Sequence, residues 1–176
     1  MQCQYLTGLL EVQGFQVIDV KRTERKGRRA VIVYLERSCK EYRCGECGAL
    51  LRTAYDSTEQ EVQHLMLWSH LTYVNFLRCR VNCPTCGIRT EALDFVALRR
   101  PRLTKALAAL VAERCKMMSN QAVAVLQGLH RHTVKAIDKA ALKAVQAQRP
   151  LDGITVLRVD FDRRGSRPYL LDARES

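Results

Sequence analysis

Two pairs of closely spaced cysteines constrain the fold of this chain more than any other feature of its sequence. The pairs are Cys44 with Cys47 and Cys83 with Cys86, with 35 residues between them. Gly48 and Gly87 follow the pairs at positions where a tight turn can close. Four thiolates in two such turns make a closed tetrahedral site of the kind that structural zinc occupies, with no position left for a catalytic water. The spacing therefore predicts a structural Zn²⁺ held by all four cysteines.

Two other interpretations of the cysteines remain open at this stage. The pairs could be coincidental, or one could be a redox pair, although no thioredoxin-like βαβ pattern surrounds either. Cys39 and Cys79 lie close to the pairs and could compete as ligands, but Cys79 falls inside a strand pattern and is expected to be a core thiol. His64 and His70 are expected to be structural, because four cysteines already complete a zinc site.

The net charge indicates a polyanionic partner. The chain has 176 residues, with 29 Lys and Arg against 18 Asp and Glu, which gives a formal charge of +11. Nucleic acid or an anionic membrane would suit this charge, but no apolar run approaches the ~20 residues that span a bilayer. The N-terminus shows no secretory signal pattern. We therefore expect a cytoplasmic protein without a membrane partner.

The first part of the chain, residues 1–98, is predicted to be a β-rich zinc-binding domain. Gly14–Lys21 and Ala30–Glu36 are alternating, β-branched runs that predict a hairpin. Thr53–Gln63 is polar, and Leu71–Val81 again has the alternation of a strand. The second cysteine pair follows this strand directly.

The residues after this domain change from a period of two to a period of 3.6, which predicts helices. Leu103, Leu107, Leu110 and Val111 would share one helix face, and a last helix is expected from about His130 to Gln148. Residues 99–149 are therefore predicted to be an all-α domain. Gly153–Val159 predicts one buried strand at the start of a third region, residues 150–176.

The segment Ala122–Ile137 has the pattern of a helix-turn-helix, with Gly128 as the residue that turns the chain with positive φ. The DNA-contacting residues expected on the second helix are His130, Arg131, His132 and Lys135, with Lys139 and Lys143 on phosphates. An ordinary helical hairpin with a solvated basic face is the alternative. The pattern predicts double-stranded DNA as the partner.

Four segments in this order resemble bacterial insertion-sequence transposases of the ISL-three family. They are Cys44–Gly48, Arg80–Glu91, Ala122–Ile137 and Asp152–Asp160. The resemblance implies that the zinc and helical regions recognise the terminal inverted repeats of the element. It also implies an RNase-H-like domain in which three acidic residues hold two divalent cations, Mg²⁺ in a full-length relative. Asp160 looks like the first of these acids.

After Asp160 the sequence departs from the family pattern. Pro168 stands in what should be the next strand, and only 16 residues follow Asp160. We therefore expect one strand of a truncated RNase-H-like domain and no independent catalysis, since one strand cannot hold two cations around a phosphate. The expected fold is α+β, and the expected function is sequence-specific DNA binding at element ends. A second copy of the chain or an intact transposase would be its protein partner, in the bacterial nucleoid.

Three other functions remain open at this stage. The chain could be a transcriptional regulator that uses the same helix-turn-helix and a structural zinc ribbon. It could instead be an interaction protein whose ribbon binds protein or RNA, or an active nuclease in which Asp160 is essential. The DNA target separates the first of these from recognition of element ends.

Overall fold

The computed structural model describes residues 7–98, 102–147, 159–160 and 169–170, with side chains described in 7–96 and 102–147. Within it the chain divides into two compact units, Met1–Val111 and Ala112–Ser176. The first unit is rich in strands, and helices dominate the second. The mixed α+β class with a β-rich N-terminal region agrees with the sequence prediction.

The first unit begins with the predicted hairpin, made by β1 (Phe15–Arg25) and β2 (Arg28–Arg37). Arg25 pairs with Arg28 across a two-residue turn. Both turn residues, Lys26 and Gly27, have positive φ, at 54° and 68°. This is the backbone of a type I′ turn, whose twist matches that of the two strands. The strands extend beyond the apolar runs that predicted them.

The remaining strands of the first unit assemble around the longest one, β6. They are β3 (Tyr42–Arg43), β4 (Leu50–Leu51), β5 (Asp56–Leu67), β6 (His70–Cys83), β7 (Gly87–Thr90), β8 (Val96–Leu98) and β9 (Leu103–Thr104). The main sheet has the order β1-β2-β6-β5-β9-β8, and β7 also pairs with β6. Strands β2 and β6 run parallel, with Ala30 opposite Leu71, whereas β5 and β6 form an antiparallel hairpin. Strands β3 and β4 pair with each other.

The sheet buries apolar side chains on both faces. One face packs the larger cluster, in which the rings of Phe15, Phe76 and Phe95 meet edge to face at 5.2–5.6 Å between centroids. The other face has a smaller cluster that includes Ile32 and Tyr73. Because side chains alternate along a strand, neighbouring residues of β2 and β6 supply both clusters.

The sequence predicted no element for the polar stretch Thr53–Gln63, and it was wrong about Leu103. Most of the polar stretch lies in β5, which begins at Asp56. Its polar residues form cross-strand pairs: Asp56 binds Arg80, and Glu59 accepts a hydrogen bond from Asn75 Nδ2 at 2.8 Å. Leu103 was expected on a helix face but lies in β9, opposite Gln63 of β5.

Three helices follow, α1 (Lys105–Met117), α2 (Asn120–Gln127) and α3 (Arg131–Ala147). Ser119 caps α2 by accepting a hydrogen bond from the N–H of Ala122 at 3.2 Å. Gly128 ends α2 with φ of 62°, which confirms the prediction for that residue. The bounds of α3 agree with the predicted last helix.

Beyond the helices, the structure describes one short antiparallel pair, β10 (Val159–Asp160) with β11 (Tyr169–Leu170). Asp160 lies opposite Tyr169. The sequence predicted a strand only for Gly153–Val159, and all of that segment except Val159 lies outside the described residues. The strand β11 begins directly after Pro168 in the sequence.

Candidate functional site

The first cysteine pair lies in the connection between β3 and β4. The N–H of Cys44 donates to the carbonyl of Ala49 at 2.8 Å, and the N–H of Gly48 donates to the carbonyl of Cys44 at 3.0 Å. Gly48 has φ of 74°, a conformation that favours glycine. These contacts close a tight loop that holds both sulfur atoms of the pair on one side.

The second cysteine pair lies in the hairpin turn between β6 and β7, where Cys83 pairs with Gly87. The two turns are held together by backbone contacts, because the N–H of Gly45 donates to the carbonyl of Thr90 at 3.1 Å. A Cβ on Gly45 would lie 2.4 Å from that same carbonyl oxygen. Only glycine permits this close approach, so Gly45 is a structural requirement that the spacing of the cysteines did not predict.

The four predicted ligands converge. The Sγ atoms of Cys44, Cys47, Cys83 and Cys86 all lie within 4.8 Å of one another. The Sγ atoms of Cys47 and Cys83 are 3.5 Å apart. Tetrahedral zinc with Zn–S bonds of about 2.3 Å requires sulfur separations of about 3.8 Å. The two nearby cysteines that could have competed lie outside the group: Cys39 is exposed, and Cys79 is buried as expected.

The electrostatics of the thiols also suit a cation. Backbone N–H groups of Cys86 and Thr85 lower the pKa of Cys83 to about 7, because they stabilise its thiolate. The adjacent Cys47 raises the pKa of Cys86 to about 12, since neighbouring thiols cannot all ionise without a compensating charge. A dication removes this repulsion and favours four thiolates. The residues present therefore fit a structural zinc ion.

A buried ion pair supports the zinc-binding region, and sequence reasoning missed it. The Glu91 carboxylate is only 1% exposed and accepts two hydrogen bonds from Arg37 Nη2, at 2.7 and 2.6 Å. It also accepts one from the N–H of Cys79 at 2.8 Å. The Arg37 guanidinium lies between the rings of Phe15 and Tyr42, at 4.8 and 4.6 Å from their centroids. The pair thus connects β2 with β3 and with the β6–β7 hairpin.

The predicted DNA-contacting side chains lie together at one helix, α3. All of them are exposed: His130, Arg131, His132, Lys135, Lys139 and Lys143. The opposite face of α3 buries Val134 and Ile137. Arg131, Lys135, Lys139 and Lys143 recur every four residues and therefore share one face of α3, next to the half-buried Asp138.

His130 caps the N-terminus of α3. Its Nδ1 accepts a hydrogen bond from the N–H of His132 at 3.3 Å, in the manner of a side-chain cap. The two imidazole rings stack, with centroids 5.1 Å apart. Histidine is not among the residues most favoured at helix N-caps, but the imidazole of His130 supplies the acceptor here.

The zinc-binding segment and most of the chain have recognisable relatives. A family model described as the zinc-finger of transposase IS204/IS1001/IS1096/IS1165 matches residues 40–86. Over 149 residues, 84% of this chain, the sequence is 32% identical to a Bordetella parapertussis protein named transposase for insertion sequence element IS1001. The chain belongs to the ISL-three family of insertion-sequence transposases. No solved structure is significantly similar to it.

The ISL-three chain spans 36% of the length of the IS1001 transposase that it matches. Asp160, which the family resemblance implies as the first catalytic acid, has its backbone in β10, and its catalytic role stays a prediction. Within the described part of the ISL-three chain, no helix is long and apolar enough to cross a membrane. The zinc-finger match and the four convergent thiols together support structural zinc.

Proposed function

We propose that this ISL-three chain binds double-stranded DNA in a sequence-specific manner through a helix-turn-helix formed by α2 and α3. The observation that supports this proposal most directly is the exposed basic surface of α3, which follows a glycine-capped turn. Arg131 and Lys135 are hydrogen-bond donors of the type that contacts base edges and phosphates in a major groove.

The local geometry of the second unit supports a helix-turn-helix. The N–H of Gly128 donates to the carbonyls of Ala124 and Val125, so the chain turns sharply after α2. Ala124 and Val123 are buried on α2, and Val134 is buried on α3. The N-terminus of α3 also has the positive end of the helix dipole, which favours phosphate.

The target that we propose is the terminal inverted repeat of an insertion sequence. Its basis is the relationship to the IS1001 transposase, together with the zinc-finger match. In this proposal zinc is structural and holds the cysteine turns together, while α3 contacts the DNA. A second copy of the chain or an intact transposase would be the protein partner on the bacterial nucleoid.

The proposal is tested by selection from a random duplex library with the zinc-loaded chain, at near-physiological salt and with excess nonspecific competitor. We expect an enriched motif that matches an element end. Arg131→Ala should relax base preference at a cost of about 1–3 kcal/mol, whereas Lys143→Ala should weaken binding to all sequences alike.

Three results would contradict all or part of the proposal. Retention without any enriched motif would mean that the charge of the chain binds polyanions in general. Equal effects of the two substitutions on base preference would mean that the recognition surface is placed wrongly. An enriched motif that matches promoters instead of element ends would identify a transcriptional regulator.

A further inference from the structure

Two hairpin turns meet at the end of the sheet opposite the cysteines. Lys26 lies in the β1–β2 turn with Arg25, Arg28 and Arg29 beside it, and Trp68 lies in the β5–β6 turn. We call these five residues the tip surface. Strands β2 and β6 pair in parallel from Ala30 and Leu71 onward, so the two turns are neighbours. The Arg28 Nη2 atom lies 4.0 Å from Met66 Sδ, which confirms that one turn contacts the other hairpin.

The tip surface is strongly basic. Six Lys or Arg residues and one acidic residue occupy positions 21–29. Arg25 is bound by Glu61 at 3.6 Å, while Lys26 and Arg29 are exposed. Such a density of cations at the end of a rigid hairpin suits a polyanion whose charges are closely spaced.

Trp68 is the unusual member of the tip surface. It is the one tryptophan of the chain, and it is 92% exposed. It follows Leu67 directly in the short turn before His70, with φ of 53°. Glycine would be favoured in this backbone conformation. Neither burial nor turn geometry therefore accounts for an indole ring at this position.

We propose that the tip surface is a second DNA-binding site, which contacts the backbone of a duplex independently of sequence. Lys26, Arg28 and Arg29 would contact phosphates, and the Trp68 ring would pack on the sugars between them. An anionic membrane could also attract this surface, but it would need more apolar side chains to insert. Met66 and Leu67, at the end of β5, are partly buried, and of these three apolar residues only Trp68 is exposed.

The proposed site at the tip surface is separate from the proposed recognition of base sequence by α3, because the tip surface lies in the first unit and α3 in the second. The two proposals can therefore fail separately. Loss of base preference in Arg131→Ala tests α3 alone, whereas the measurements below use duplex of random sequence and report on the tip surface.

The first measurement is the fluorescence of Trp68, the one tryptophan of the chain, in the zinc-loaded full chain, excited at a wavelength that the six tyrosines do not absorb. We measure quenching by acrylamide, a neutral molecule, before and after a saturating addition of random-sequence duplex. We expect the duplex to reduce quenching, because the indole ring becomes covered. Vesicles of phosphatidylglycerol should not protect the ring. Protection by vesicles but not by duplex would identify a membrane site and overturn the proposal.

The second measurement is the salt dependence of duplex affinity. Lys26→Gln combined with Arg29→Gln should reduce the slope of log K against log salt by about 1.8, since each lost phosphate contact removes about 0.9. The matched control is Lys40→Gln with Arg52→Gln, which removes the same charge from exposed positions near the cysteine turns. Equal salt-dependence slopes for the two double variants would refute the proposal that the tip surface binds DNA.

A third variant separates the ring from the charges. Trp68→Gly removes the indole and introduces the residue that this φ favours, so the turn should be retained. We expect duplex affinity to fall about fivefold, the loss that corresponds to about 40 Å² of apolar contact at ~25 cal/mol per Å². Unchanged affinity, together with full exposure of Trp68 in the native complex, would show that the ring makes no contact.

Discussion

The buried pair of Arg37 and Glu91 gives the sharpest prediction about stability. Glu91→Gln keeps the shape of the side chain but removes its charge, so Arg37 is left without a counter-charge. Arg37 is itself only 16% exposed in its side chain. One amide oxygen must then replace a carboxylate that accepts hydrogen bonds from Arg37 and from the N–H of Cys79. In the variant, the introduced amide NH₂ group therefore lies against the Arg37 guanidinium, and both groups are hydrogen-bond donors.

The expected magnitude follows from these contacts. Removing one partner of a buried pair costs about 3–5 kcal/mol, because it leaves an uncompensated charge. Arg37 keeps its hydrogen bond to the carbonyl of Glu41 at 3.1 Å and its position over two aromatic rings. These remaining contacts favour the lower end of the range. We expect the free energy of unfolding to fall by about 3 kcal/mol.

The assay is urea denaturation of the zinc-loaded protein, followed by circular dichroism. Tryptophan emission is unsuitable, since Trp68 is 92% exposed in the folded chain. The control is Asp56→Asn, which breaks the exposed pair of Asp56 and Arg80 in the same sheet. Solvent screens that exposed pair, so its loss should change the free energy of unfolding little. If Glu91→Gln lowers the free energy of unfolding no more than Asp56→Asn does, the reasoning about burial is refuted.

Two further predictions concern zinc and pH. The native protein and the Cys39→Ser variant should each bind one zinc ion. Cys83→Ser, or removal of zinc by a chelator, should abolish the protection of the Cys44 and Gly45 amides from hydrogen exchange. Unchanged protection would contradict the four-cysteine site. Burial lowers the pKa of His64 from 6.5 to about 4, so below pH 6.5 the unfolded chain binds a proton that the folded chain excludes. Stability is therefore present above pH 6.5 and falls as the pH drops toward 4, by roughly 1–2 kcal/mol between pH 6.5 and 5. His64→Gln should remove this pH dependence, measured by urea titrations with excess zinc. If the free energy of unfolding changes equally with pH in both proteins, another group causes the effect.

The parts of the structure that the sequence predicted correctly have local signals. The zinc cluster follows from two short turns, each defined by a cysteine pair and a glycine. The β1–β2 hairpin follows from apolar alternation on both sides of Lys26 and Gly27. Gly128 ends a helix because few other residues adopt positive φ there. Within each of these turns, the residues that determine the local geometry lie within a few positions of one another.

The parts that the sequence did not predict depend on partners far along the chain. Glu91 is indistinguishable from a surface acid until the fold brings it to Arg37, which lies 54 residues away. The polar half of β5 has no apolar alternation, because charged pairs such as Asp56 with Arg80 hold it to β6. Leu103 fits a helical period equally well, but pairing with Gln63 places it in β9.

The two proposed DNA-contacting surfaces suit different tasks. Phosphate contacts fix position and add affinity for any sequence, whereas contacts to base edges supply specificity. The tip surface has closely spaced cations on two neighbouring hairpins, an arrangement suited to closely spaced phosphates. The surface of α3 has Arg131 and two histidines at a helix N-terminus, a geometry suited to a major groove. In this division, substitutions at the tip surface should change affinity without changing base preference, and those at Arg131 should change preference most.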